Sequence, residues 1–207
     1  MEVSLQYAGP LSASNRNGAK QRLRAEFSPQ LLGFCKSLRP TGSTIAHPFY
    51  WFSKPIASGY PMTEATIKGN RIVWPSPIGM PQTHCFVRLG NYVVVPIITR
   101  GSNLSASVHI HMYRRDDPGG IIMGGDLDNR LKTLFDALRM PHSLDELPHE
   151  DPGPDPRLLC LLEDDSLITE ITIETHRLFT PPAGTEAETD VRLSVHVDIV
   201  APRHPTL

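Results

Sequence analysis

Cysteine is scarce in this 207-residue chain, and neither sign of charge dominates it. Cys35, Cys85 and Cys160 are odd in number and far apart, with no C-x-x-C or Cys/His ligand spacing. That pattern indicates neither a disulfide framework nor a structural zinc site, and it reads as buried or incidental thiols in a reducing compartment. A formal net charge of −2 gives no global basic field, so a polyanionic partner must be met by a local basic patch. No apolar run approaches the length that spans a bilayer. The opening MEVSLQYAGPLSASN shows no basic stretch followed by an apolar one, hence no visible secretory signal. The chain is expected to be soluble and cytoplasmic, with no membrane partner.

Proline (20) and glycine (15) are plentiful instead, and they imply long irregular connections. With 40% hydrophobic and 20% charged residues, the composition suits one globular domain with a sizeable core. VSLQY alternates like a half-buried strand, and GPLSASNRNGAKQRLR after it reads as a turn-rich segment carrying Arg16, Lys20, Arg22 and Arg24. SPQLLGFCKSL (28–38) predicts a short helix, with Ser28 as N-cap and Pro29 at the first helical position. Residues 39–82 stay unassigned, an insertion or extension, apart from a strand signal in ATIKGNRIVW.

HCFVRLGNYVVVPIITR predicts a strand or hairpin with its turn at Gly90 and Asn91. SASVHIHMYRR sets Val108, Ile110 and Met112 against His109, His111 and Tyr113, the pattern of a half-buried strand. SLITEITIETHRL and VRLSVHVDIV alternate in the same way. Between them and the preceding helix lies an acidic, proline-rich connection, residues 140–157, expected to be exposed and mobile. The outline is α+β, with strands on both sides of one principal helix.

That helix lies in GGDLDNRLKTLFDALRMP (124–141), which crowds Asp126, Asp128 and Asp136 around Lys132. At about 100° per residue, Leu127, Leu131, Leu134, Phe135 and Leu138 share one core-facing stripe. Asp128, Lys132 and Asp136 follow at i, i+4 and i+8 and form a second stripe beside it. If the chain is still extended as it enters the helix, Asp126 and Asp128 point to the same side. LLEDDSLI (161–168) adds Glu163, Asp164 and Asp165. Crowded carboxylates need solvent, a basic side chain or a cation. Hard oxygen donors in such a set suit Mg²⁺ or Mn²⁺, which activates water and stabilises charge on a phosphodiester. Spacing alone fits equally well a capping Asp128, an ordinary salt-bridged helix face and an acidic turn in solvent.

DLDNRLKTLFDAL followed by EDDSLI resembles the RusA family of Holliday junction resolvases, whose core is a DxDN…K…DAL helix followed by a DD-containing strand. The flanking strands agree in order, and PLSASNR is similar to the family's PSxNxR segment. The motif core spans about residues 105–200. The resemblance implies an α+β fold, a RusA-like mixed sheet packed against the principal helix that carries the acidic motif, and a homodimer. It implies Asp126, Asp128 and Asp165 as metal ligands and catalytic acids, and Lys132 as the catalytic lysine. Asn129, Asp136 and Asp164 fall on supporting positions, Asp136 capping or orienting Lys132. The implied activity is Mg²⁺-dependent endodeoxyribonuclease cleavage of branched DNA, with Mn²⁺ able to substitute.

Arg114 and Arg115, with Arg16, Lys20, Arg22 and Arg24, are the candidate phosphate contacts. His109 and His111 are read as a polar strand face, because nothing else of metal-ligand type lies at strand spacing. Trp51, with Phe49 and Tyr50, is read as a core or loop anchor rather than a base-stacking platform. No oriented His/Asp pattern supports a serine or cysteine nucleophile. Two alternatives remain: a catalytically idle RusA-like module that binds nucleic acid or protein, and a nuclease effector of a toxin or defence system.

Overall fold

The computed structural model describes residues 1–11, 16–38, 63–73, 86–115, 127–149, 151–179 and 190–201. Among these the architecture is α+β, with two helices and ten strands. In chain order they are β1 (Glu2–Pro10), α1 (Arg16–Ser37), β2 (Thr63–Glu64), β3 (Thr66–Lys68), β4 (Arg71–Val73), β5 (Val87–Leu89) and β6 (Tyr92–Ile98). Then follow β7 (Ser105–Arg114), α2 (Leu127–Leu138), β8 (Arg157–Leu162), β9 (Ile168–Arg177) and β10 (Asp190–Val200). One four-stranded sheet runs β1-β10-β7-β9, a second β2-β5-β6-β8, and β3-β4 is a separate hairpin. Pairing is mixed: β7–β9, β6–β8 and β2–β5 are parallel, the other pairs antiparallel. No described helix is long and apolar enough to cross a membrane.

Alternation built β7 and β10 as the sequence predicts, whereas β9, at the edge of the sheet, is mostly exposed and leaves Ile171 46% accessible. Val191, Leu193, Val195, Val197 and Ile199 of β10 and Val108, Ile110 and Met112 of β7 all point into the main core. Both glycine-bearing turns form two-residue hairpins. Gly69 (φ 60°) joins β3 to β4 and Gly90 (φ 58°) joins β5 to β6, left-handed positions that cost an L side chain but not glycine. The ATIKGNRIVW signal is thus a hairpin rather than one strand. The rest of 39–82, including Phe49, Tyr50 and Trp51, lies outside the described residues.

The N-terminal region departs from expectation. Arg16–Ser37 is one helix of 22 residues, not a turn-rich segment followed by a short helix. Ala19, Leu23, Phe27, Leu31 and Cys35, spaced by four, are all buried in the core, and that stripe overrides the local breakers. Ser28 is not an N-cap: its Oγ accepts the Leu159 N–H at 2.9 Å, satisfying a donor on the outer edge of β8. Pro29 sits inside the helix. Both Pro29 and Ala25, four residues earlier, face outward, so the carbonyl deprived of its partner can be hydrated. The next residue, Gln30, pairs with the free edge of β1 as another strand would. Gln6 N–H donates to Gln30 Oε1 at 2.8 Å, and Gln30 Nε2 donates to Gln6 O at 2.7 Å.

The acidic connection is also corrected in part. Residues 140–149 are anchored rather than loose. Ile72 N–H donates to His142 O at 2.9 Å, Asn70 Nδ2 to Asp145 Oδ2 at 2.7 Å, and Met140 N–H to Leu162 O at 3.0 Å. Met140 joins a small second core with Ile72, Leu89, Val94, Leu158 and Cys160. Asp151, Gly153, Pro154 and Asp155 face solvent as expected.

Candidate active site

The acid-bearing helix, α2, is the shorter of the two, and α1, β8 and a 3₁₀ turn at Asp165–Leu167 pack against it. Leu127, Leu134 and Leu138 are buried and Leu131 and Phe135 partly so, which is the stripe read from the sequence. Arg130, Thr133 and Ala137 are buried as well, so α2 is enclosed over a wider arc than that stripe. Thr133 turns its Oγ1 back to Asn129 O at 2.8 Å, and Asn129 itself is half-buried.

The predicted polar stripe divides. Asp128 and Lys132, in the first and second turns, are exposed, and neither side chain has a partner among the described residues. Asp136 does not reach Lys132. It is buried, 2.9 Å from Lys20 Nζ of α1 and 2.5 Å from an Arg139 guanidinium nitrogen. The reason is charge balance at the α1/α2 contact. Arg24 is 1% exposed and donates to Glu146 O at 2.8 Å, to Arg139 O at 3.2 Å and also to Asp136 O. Glu146, 5% exposed, answers three cations: Lys20 at 3.0 Å, Arg24 at 3.1 Å and Arg139 at 3.7 Å. Burial would push both carboxyls up. The Lys20 hydrogen bond and the Arg139 charge outweigh it at Asp136, and the Arg24 charge with the Lys20 hydrogen bond outweighs it at Glu146, so both are held below their ordinary values.

In the described fold Lys20 and Arg24 therefore present no free charge to a phosphate. They hold two helices and the 140–149 connection together. Arg114 is likewise turned away from solvent: it lies on the inward face of β7 and is 1% exposed. Arg115, just beyond the strand, is half-buried, and Arg22 is exposed on α1. Arg16 begins α1, but its side chain lies outside what the structure describes.

The acidic turn separates its three carboxylates by role. Glu163 Oε2 accepts the Arg100 N–H at 2.8 Å. Asp164 caps the 3₁₀ turn, its Oδ1 accepting the Ser166 N–H at 3.0 Å and lying 3.3 Å from an Arg100 guanidinium nitrogen. Hydrogen bonding from Ser166, with Arg100 adding to it, outweighs burial and holds the Asp164 carboxyl below its ordinary value. Asp165 is exposed, and its side chain has no partner among the described residues. Two carboxylates, Asp128 and Asp165, thus remain open on elements that pack together, with Lys132 on one of them. Carboxylate oxygens are the donors Mg²⁺ prefers, so the open acids are of the chemistry such an ion takes. Asp126, the third acid of the expected set, lies outside the described residues.

Sequence spacing missed four participants. Glu146 sits in a stretch whose composition reads as solvated. Arg100 reaches the acidic turn only because β6 and β8 are parallel neighbours. Glu174 and His176 lie beside His111 only through the β7–β9 pairing, although their own i, i+2 spacing was visible in EITIETH. No family model, no curated protein and no solved structure compared with the chain gives a match.

Proposed function

We propose that this protein is a Mg²⁺-dependent endodeoxyribonuclease of the RusA type, acting on branched DNA as a homodimer. The observation that carries the reading is the sorting of the acids. Glu163, Asp164 and Asp136 are engaged by the fold, while Asp128, on the same helix as Lys132, and Asp165, on the turn packed against that helix, which the motif gives as ligands, are left open. In this reading Asp126, Asp128 and Asp165 hold the cation, and Asp164 and Arg100 keep Asp165 at the lip of its turn. Lys132 steadies the scissile phosphate, and Asn129 and the buried Asp136 fix the helix that presents it. A bound Mg²⁺ supplies a water of lowered pKa and stabilises charge on the phosphodiester, and Mn²⁺ serves in the same way.

The test is cleavage of a labelled four-way junction and a matched linear duplex, with and without Mg²⁺, by the wild type and by Asp128→Asn. Symmetric nicking of the junction alone, dependent on Mg²⁺ and lost in the variant, is the expected result. Cutting of both substrates keeps the nuclease and removes the junction preference. Folded protein that binds the junction but cuts nothing in Mg²⁺ or Mn²⁺ replaces the enzyme with a binding module.

A further inference from the structure

His109, His111, His176 and His196 stand on the outward face of the first sheet, the side turned away from the core into which α2 packs. His111 is in register with Glu174 of β9, and His176, two residues further along that strand, shares its face. Glu174 Oε2 lies 3.5 Å from His111 Nδ1 and 3.6 Å from His176 Nε2, and the three donor atoms all lie within 4.8 Å of one another. Zinc bonds of about 2.0–2.1 Å in a tetrahedron set neighbouring donors about 3.3–3.4 Å apart. Two of the three edges are already near that length, and rotation of half-exposed side chains closes the third.

An independent observation concerns the His176 ring. Its Nε2 is shut off from solvent and has no hydrogen-bond partner, although the side chain as a whole is 39% exposed. Tyr113 stacks on this ring with 4.8 Å between centroids, and His111 at 5.8 Å, which restrains the plane of the ring. At 3.6 Å the contact is too long for a hydrogen bond. A polar nitrogen so placed costs free energy, and a cation on its lone pair removes that cost.

The geometry points to a surface site for a divalent transition-metal ion of the zinc class, held by His111 Nδ1, Glu174 Oε2 and His176 Nε2 with a fourth position open to solvent. Two imidazoles and one carboxylate are borderline donors, suited to zinc, cobalt(II) or nickel(II) rather than to the magnesium expected at α2. His196 packs edgewise on His111 but is not a ligand, because Ser4 and Ser194 hydroxyls hold its two nitrogens at 2.8 and 2.9 Å. The site needs neutral imidazoles, so its affinity falls as the solution is acidified.

The experiment is equilibrium dialysis of the full chain against zinc in excess Mg²⁺, which fills the hard carboxylate sites. The absorption of added cobalt(II) reports nitrogen coordination, and circular dichroism reports folding. A single saturable zinc is expected. His111→Ala and His176→Ala should each weaken it roughly tenfold or more, and His196→Ala should leave it unchanged. Absence of saturable zinc in the wild type overturns the assignment. So does zinc binding undiminished in the folded His111→Ala/His176→Ala double variant.

Discussion

Lys20 Nζ lies 2.9 Å from Asp136 Oδ2, and the two side chains are only 10% and 11% exposed. This pair takes one acid away from the candidate site and one base away from any DNA-binding surface. It also makes the α1/α2 contact dependent on charge. Glu146 completes the cluster by answering Lys20, Arg24 and Arg139 together. Removing its charge leaves buried cations uncompensated, so Glu146→Gln should cost about 3–5 kcal/mol in urea unfolding. Lys20→Met should be destabilising by a similar route.

The same cluster sets an acid limit. Asp136 and Glu146 titrate below their ordinary values in the folded chain, so protons bind the unfolded chain more readily. Their contribution is present above the ordinary carboxylate range and is lost as pH falls below about 4 and through the depressed folded values. Urea midpoints measured from pH 6 downward should fall steeply in the wild type. In an Asp136→Asn/Glu146→Gln variant that remains folded, the fall should be shallower.

Within the acidic turn, Asp165 and Asp164 should separate cleanly. Asp165→Asn removes an open carboxylate and should lower Mg²⁺-dependent cleavage by at least about a hundredfold without changing stability. Asp164→Asn keeps a cap able to accept from Ser166 and weakens the Arg100 contact, so its effect should be milder. Equal losses in the two variants would remove the distinction on which the assignment of Asp165 rests.

Much of the fold was legible where one face is buried and the other wet. β10 and β7 could be read residue by residue because alternation records that asymmetry. The full length of α1 is hidden because Gly18, Ser28 and Pro29 look like punctuation, although the spacing of Ala19, Leu23, Phe27, Leu31 and Cys35 carries the helix. Asp128 and Asp165 were legible as acids in a motif, but which acid of each cluster stays open was not. That depends on Lys20 and Arg100, brought in by tertiary contacts that local spacing does not encode. His111 has no ligand-type companion at strand spacing on β7 except His109, and its companions Glu174 and His176 come from a neighbouring strand.

The described thiols should be inert in the native state. Burial pushes the Cys35 thiol up to about 12 and the Cys160 thiol up to about 11. The nucleophilic thiolate is then almost absent at pH 8, and access is closed as well. A disulfide reagent should label neither residue in folded protein and both in denaturant, as peptide mapping of the labelled chain would show. Prompt native labelling of Cys35 would mean that α1 separates from the core far more readily than its packing implies.

Arg22 and Lys20 make the sharpest contrast for DNA binding, because they lie two residues apart on one helix and differ in exposure. An exposed arginine that meets a phosphate releases counterions on binding, and a buried lysine tied to Asp136 and Glu146 does not. Junction affinity measured over a salt series should therefore lose about one unit of slope in Arg22→Ala. Lys20→Met, compared at a temperature where it remains folded, should keep the wild-type slope. If Lys20→Met flattens the slope and Arg22→Ala does not, the buried network opens on binding, and α1 meets DNA with the face that now packs against α2.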